Sequence, residues 1–259
     1  MAHLNRIHQV WAEGRTAVNG WIAVPSVLGV EAMAKAGWDA LTVDMQHGTA
    51  DYADLLSILP VIEKSGAAPV VRVPWLDEAA IMRALDAGAL GIIAPMIETR
   101  EDTERLVSTC RYPPDGTRSF GPVRARLAWG DDYASIANQE VLVFAMVETR
   151  LAVANLDAIL SVPGLSGIYV GPSDLSLSHG FQPGFDRTEP DMLALIADIR
   201  ARSAARGLRC CLHCGSPVYA ARAAAEGMDL VTIGSDARFV EAGAMACINQ
   251  FRESADNKT

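Results

Sequence analysis

Two acids stand where apolar strands end. The run Val141–Val147 leads into Glu148, and Gly167-Ile168-Tyr169-Val170 leads into Gly171-Pro172-Ser173-Asp174. A carboxylate beside a core is costly unless something pairs with it. Two of them on neighbouring strands look like hard oxygen ligands for a divalent cation. Other polar groups collect at the ends of the remaining apolar runs: Asp44-Met45-Gln46-His47, Arg72, Glu98, His213 and Asp236. Arg72 interrupts the β-branched run Val70-Val71-Arg72-Val73-Pro74. An arginine can snorkel from such a place, but burial between strands favours a functional charge. His47 is either a general base with a pKa near working pH or a hydrogen-bonded loop histidine. Asp44 either orients a ligand or its water, or caps the next turn. Asp86 lies near a helix C-terminus, an end that disfavours acids, so it calls for a partner such as a cation or a histidine.

The lysines exclude one mechanism. There are three, Lys35, Lys64 and Lys258, and none falls on a strand. A Schiff-base enzyme needs a lysine in the interior. Carbanion chemistry without an imine or an organic cofactor leaves a metal as Lewis acid. No Gly-x-Gly-x-x-Gly or phosphate-loop pattern occurs. The cluster Cys210-Cys211-Leu212-His213-Cys214 invites a zinc reading, but on a strand Cys211 and His213 face opposite to Cys210 and Cys214. Small polarizable core residues explain it better.

The elements that must position these groups repeat one unit of strand, turn and amphipathic helix. Strands are expected at Gly20–Pro25, Asp39–Asp44, Ala68–Val73, Leu90–Pro95, Glu140–Val147, Ser166–Val170, Leu208–His213 and Asp229–Ile233. Continuously apolar strands alternating with helices imply a parallel sheet buried on both faces. Eight units fit a (β/α)8 TIM barrel in a single domain, residues 1–259, closed by a helix over Ala237–Glu253. In that fold the polar strand ends share the reactive face. One connection, Tyr112–Asp132, is long enough to be an active-site lid, an oligomer contact or a surface excursion. The tail Ser254–Thr259 is polar and expected to fray.

The chain has 259 residues, half of them apolar, and a net charge of −9 from 31 acids and 22 bases. No basic run stands out, so nucleic acid is not an expected partner. No apolar run reaches the roughly 18 residues that span a bilayer, and the N-terminus lacks a signal-peptide pattern. Five cysteines in no framework spacing suit a reduced, cytoplasmic protein.

Taken in order, several segments resemble one family. They are Gly37–Gly48, Val71–Pro74, Ile93–Thr99, Tyr112–Arg118, Met146–Thr149 and Gly171–Leu175. The series is similar to the HpcH/HpaI aldolases, metal-dependent (class II) pyruvate aldolases, over about Gly20 to Asp236. The resemblance implies a (β/α)8 barrel and reversible aldol addition of a small-molecule 2-oxo acid, pyruvate or hydroxypyruvate, to an aldehyde. It implies that Glu148 and Asp174 bind magnesium, manganese or cobalt, with no organic cofactor. It implies that the segment Gly171, Pro172, Ser173 and Asp174 meets the 2-oxo acid, the amides of Ser173 and Asp174 facing its carboxylate. Arg72 matches the arginine that holds the enolate, His47 the histidine of proton transfer, and Asp86 its acidic partner. Asp44 matches a residue just beyond the metal's direct ligands. Two positions depart from the family pattern. Gln46 stands where many members have glutamate, and Met146 where some have glutamine, which leaves the preferred 2-oxo acid open. Acceptor contacts are expected from loops such as Arg118–Tyr133 and a neighbour's helix. The family commonly forms hexamers, as trimers of dimers, that exchange the last helix. The rival readings are an acyl-CoA carbon–carbon lyase, like citrate lyase β or malyl-CoA lyase, and a catalytically silent barrel.

Overall fold

The computed structural model describes residues 4–256. Its eight strands are β1 (Ala17–Ile22), β2 (Ala40–Asp44), β3 (Ala68–Arg72), β4 (Gly91–Ala94), β5 (Leu142–Val147), β6 (Gly167–Val170), β7 (Arg209–Cys214) and β8 (Leu230–Ile233). All pair in parallel with their sequence neighbours, and β1 pairs with β8, so the sheet closes as a barrel. The strand set is as expected, with two shifts: β1 spans Ala17–Ile22 rather than Gly20–Pro25, and β5 begins at Leu142 rather than Glu140, which ends a helix. Asn19 reads as a turn former, yet its side chain is buried and hydrogen-bonded inside the barrel.

The helices are α1 (Arg6–Ala12), α2 (Val27–Ala34), α3 (Tyr52–Ser65), α4 (Glu78–Asp86), α5 (Arg100–Cys110), α6 (Val123–Trp129), α7 (Tyr133–Glu140), α8 (Arg150–Ala154), α9 (Leu156–Leu160), α10 (Pro172–Ser178), α11 (Pro190–Ala205), α12 (Pro217–Ala225) and α13 (Asp236–Asp256). Local chemistry starts them where the sequence suggests. Asp51 and Asp54 form a reciprocal capping box on α3, and Thr99 and Asp102 do so on α5. The main core lies between the sheet and the outer helices. A second core fills the barrel from β-strand side chains, and Ile7, Val10 and Trp11 of α1 belong to it. Helix α1 is therefore a plug at the end where the strands begin. Among the described residues no helix is long and apolar enough to cross a membrane.

The long connection is not a loop over the reactive face. It contains α6 and runs directly into α7, and the two helices together join α5 to β5. A segment running from a helix into a strand lies at the N-terminal end of the strands, opposite the mouth. It is pinned there by Arg118, which is 3% exposed and donates to Tyr133 Oη at 3.1 Å and Asp86 Oδ1 at 2.7 Å. Arg124 adds a pair with Glu63, and Trp129 Nε1 donates to Gly88 O at 3.0 Å. The lid expectation is corrected by this topology. Ser254–Asp256 of the expected frayed tail are helical, and Lys258 and the last residues fall outside the described residues.

Candidate active site

The C-terminal ends of the strands surround a cavity of about 360 Å³. Its lining includes Asp44, His47, Arg72, Met146, Glu148, Gly171, Pro172, Ser173 and Asp174, all marked out in the sequence. No lysine lines it.

Strand β5 delivers Glu148, which is 3% exposed. One donor is recorded on its carboxylate, the amide of Met96, at 2.8 Å from Oε1. Burial raises its pKa to about 7, the Met96 amide opposes the rise, and the charge of Asp174 adds to it. Asp174 sits exposed in the first turn of α10. Two features hold this corner open. Gly171 lies so near that an added Cβ would sit 2.5 Å from Glu148 Oε2. Met96 takes φ of +54°, a left-handed conformation that strains a side-chain-bearing residue and aims its amide at Glu148.

Asp44, at the end of β2, is held quite differently. Arg72 at the end of β3 grips it in a fork, Nε to Oδ1 at 2.8 Å and Nη2 to Oδ2 at 2.6 Å. The Trp21 indole donates to Oδ2 at 3.2 Å, and the amides of Gln46 and His47 donate to Oδ1 at 3.0 and 3.2 Å. Burial alone would raise its pKa, but the Arg72 fork and the other donors bring it below the ordinary carboxylate value. Arg72 also lies over the Trp21 ring, 4.9 Å from its centroid. The arginine is thus fixed in direction, with its face toward the cavity wall.

His47 is exposed at the mouth, and among the described residues only its amide has a recorded partner. Asp86 is not brought to it. It ends α4 at the opposite end of the barrel and pairs with Arg118. Within one chain the expected His47–Asp86 pairing is therefore absent, because the helix end before β4 and the loop after β2 lie on opposite faces. Glu98 and Asp236 do not line the cavity. Glu98 Oε1 accepts from Thr149 at 2.7 Å, and Asp236 accepts from the amides of Ala23 and Val24 at 2.9 and 3.0 Å.

Seven lining residues went unassigned in the sequence or were only noted there: Trp21, Ala23, Phe185, His213, Gly234, Ser235 and Arg238. The signal for His213 was its shared strand face with Cys211. Trp21 and Phe185 carry no local pattern that distinguishes them from core aromatics. Cys110, Cys210, Cys211 and Cys214 are free and buried, and burial raises each thiol's pKa.

Among the described residues no group of three or more His, Cys, Asp or Glu is gathered as a metal cage. Glu148 and Asp174 supply two oxygen donors to an open cavity. That set fits a hard cation that keeps most positions for water or substrate. The under-satisfied, buried carboxylate of Glu148 is the observation that calls for it.

Comparison with known proteins agrees with this geometry. Residues 21–241 match the family described as HpcH/HpaI aldolase/citrate lyase. The hydroxypyruvate/pyruvate aldolase of Rhizorhabdus wittichii is 43% identical over 96% of this chain and 99% of its own length. The 5-keto-4-deoxy-D-glucarate aldolase of Salmonella arizonae is 32% identical over 96% of this chain and 97% of its own. A crystal structure of an HpcH/HpaI aldolase/citrate lyase family protein from Burkholderia cenocepacia J2315 superposes with a TM-score of 0.87 at 30% identity, covering 95% of this chain and 98% of that one. The chain belongs to the HpcH/HpaI aldolase/citrate lyase family.

Proposed function

We propose that this carbon–carbon lyase joins a 2-oxo acid, pyruvate or hydroxypyruvate, to an aldehyde and cleaves the product in reverse. The observation that carries the reading is a buried, poorly satisfied Glu148 facing Asp174 in a cavity that also holds Arg72. Glu148 and Asp174 would hold a divalent cation, magnesium, manganese or cobalt. When bound, the cation supplies Lewis acidity to the oxygens of the 2-oxo acid.

The chain's own groups supply the rest. The amides of Ser173 and Asp174, in the first turn of α10, lack partners within the helix and suit the substrate carboxylate. Asp44 fixes the Arg72 fork, so Arg72 presents fixed positive charge to the oxygen of the enolate. His47 sits at the mouth, where it can accept the proton leaving C3 and return one to the alkoxide oxygen after C3 attacks the aldehyde carbon. Met146 lines the donor end with an apolar thioether, and Gln46 contributes no charge beside His47. Asp86 can act with His47 only when supplied by a second copy. Helix α13 supports an assembly of copies, such as the family's hexamer. None of its residues is buried, and Val240 and Phe251 are 73% and 71% exposed.

The test is a donor and acceptor panel run with chelator and then with magnesium, manganese and cobalt. Chelation is expected to abolish carbon–carbon cleavage, and added divalent metal to restore it. Cleavage that survives chelation and stops on borohydride treatment would overturn the reading.

A further inference from the structure

A line of buried hydroxyl and amide groups crosses the barrel beneath the cavity. Thr42 Oγ1 donates to Asn19 Oδ1 at 3.0 Å, and Asn19 Nδ2 donates to Thr232 Oγ1 at 2.8 Å. Thr232 Oγ1 lies 2.6 Å from Tyr169 Oη, which lies 3.2 Å from His213 Nδ1. Thr42, Asn19, Tyr169 and Thr232 are at most 1% exposed. One direction runs the line toward the cavity. Thr232 Oγ1 accepts from Asn19 and in that direction gives its proton to Tyr169 Oη. Tyr169 stays a phenol, since burial raises its pKa well above the ordinary value. In the same direction its own proton goes to His213 Nδ1, and the ring takes the tautomer that accepts there. A neutral imidazole that accepts at Nδ1 carries its hydrogen on Nε2. The ring is neutral, its pKa lowered to about 3 first by burial and then by the charge of Arg72.

His213 lines the cavity, and its Nε2 has no protein partner recorded among the described residues. The ring is clamped between Phe185, stacked at 4.6 Å, and Trp21, edge-on at 4.7 Å. Its neighbour across the β6–β7 pairing is the turn at Gly171, which lies against Glu148. The wall that continues from Arg72 through Trp21 to His213 therefore flanks the place where the 2-oxo acid sits. On that wall the Trp21 N–H is already committed to Asp44, and Arg72 is committed to Asp44 along one edge. The His213 N–H is the uncommitted neutral donor.

We propose that His213, set by the Thr42–Asn19–Thr232–Tyr169 line, donates Nε2–H to a hydroxyl on C3 of the 2-oxo acid and so selects hydroxypyruvate over pyruvate. The inference rests on the aldolase reading for the placement of the acid, and on the hydrogen-bond line for the tautomer. A methyl group in place of that hydroxyl leaves the N–H facing carbon. A neutral hydrogen bond of this kind is worth roughly tenfold in affinity.

Two measurements test it. In metal-free protein, ¹⁵N shifts of the His213 ring are expected to show Nε2 protonated and Nδ1 bare at neutral pH; a protonated Nδ1 would reverse the line and sink the proposal. In magnesium-loaded protein, calorimetry and turnover with hydroxypyruvate and pyruvate are compared for wild type, His213→Phe, His213→Gln and Tyr169→Phe. Wild type is expected to favour hydroxypyruvate roughly tenfold in both Kd and kcat/KM. His213→Phe keeps an aromatic ring in the clamp and should bring the ratio near one; His213→Gln, which retains an N–H, should restore part of it. Tyr169→Phe should lower the ratio by freeing the tautomer. Equal binding of the two acids by wild type, or an unchanged ratio in His213→Phe, overturns the proposal. Selective binding of hydroxypyruvate without turnover of either acid supports the hydrogen bond and sinks the aldolase reading.

Discussion

Asp44 and Glu148 are carboxylates on the same rim, both 3% exposed, yet they are in opposite states. Asp44 is saturated by an arginine fork, an indole and two amides. Glu148 has one recorded donor, and its pKa stands at about 7. The difference separates two jobs. A carboxylate whose partners are all protein groups positions something, here Arg72. A buried carboxylate short of partners is prepared for a charge that arrives from outside.

The largest expected effect tests the unsatisfied side of that contrast. Glu148→Gln should lower magnesium-supported kcat/KM by about a thousandfold or more, the scale of losing several kcal/mol of Lewis-acid stabilisation. Retention of activity within tenfold would mean that Glu148 does not hold the cation. Next comes the saturated side. Asp44→Ala leaves the half-buried Arg72 guanidinium without its fork, and should reduce turnover about a hundredfold through misplacement. Denaturant melts should record a loss on the order of 3 kcal/mol. If activity falls while magnesium affinity is kept, Asp44 acts through Arg72; a parallel loss of magnesium binding would place it among the metal's own contacts.

The two carboxylates should also bend stability with pH in opposite senses. The folded-state pKa of Glu148 is raised from 4.5 to about 7, so its contribution is present below 4.5 and is lost as pH rises through 7. The size is on the order of 3 kcal/mol. Asp44 is lowered from 3.8, so its contribution is present above 3.8 and is lost as pH falls below it. Metal-free melts from pH 4 to 8 should show the Glu148 decline, and Glu148→Gln should flatten it; an unchanged slope in that variant would contradict the assignment. The smallest effect concerns Met96. Met96→Gly exchanges left-handed strain for glycine's entropy, a net gain of about 0.5 kcal/mol. A melting temperature that falls instead would show that the methionine side chain, not the backbone, sets this corner.

Much of the site was legible because it depends on local order. A polar residue straight after an apolar strand must lie on the reactive face of a barrel, which locates Asp44, Arg72, Glu148 and Asp174 from one-dimensional pattern. The same rule places Tyr112–Asp132 and Asp86 on the other face, since Asp86 ends the helix ahead of β4 and Tyr112–Asp132 leads from α5 toward β5. Length alone, or a family pairing alone, points the wrong way for a single chain. The hydrogen-bond line to His213 was not legible. It joins β2, β1, β8, β6 and β7, and only closure of the sheet between β1 and β8 brings those strands side by side.

The strained turn at Met96 has a further use, as a spectroscopic reporter. Its amide donates to Glu148, whose carboxyl changes charge near neutrality. The proton resonance of that amide should therefore shift with the occupancy of the corner. A single backbone signal, distinctive because its φ is +54°, would follow titration of the empty site and then its loading, with no substrate present and no turnover to measure.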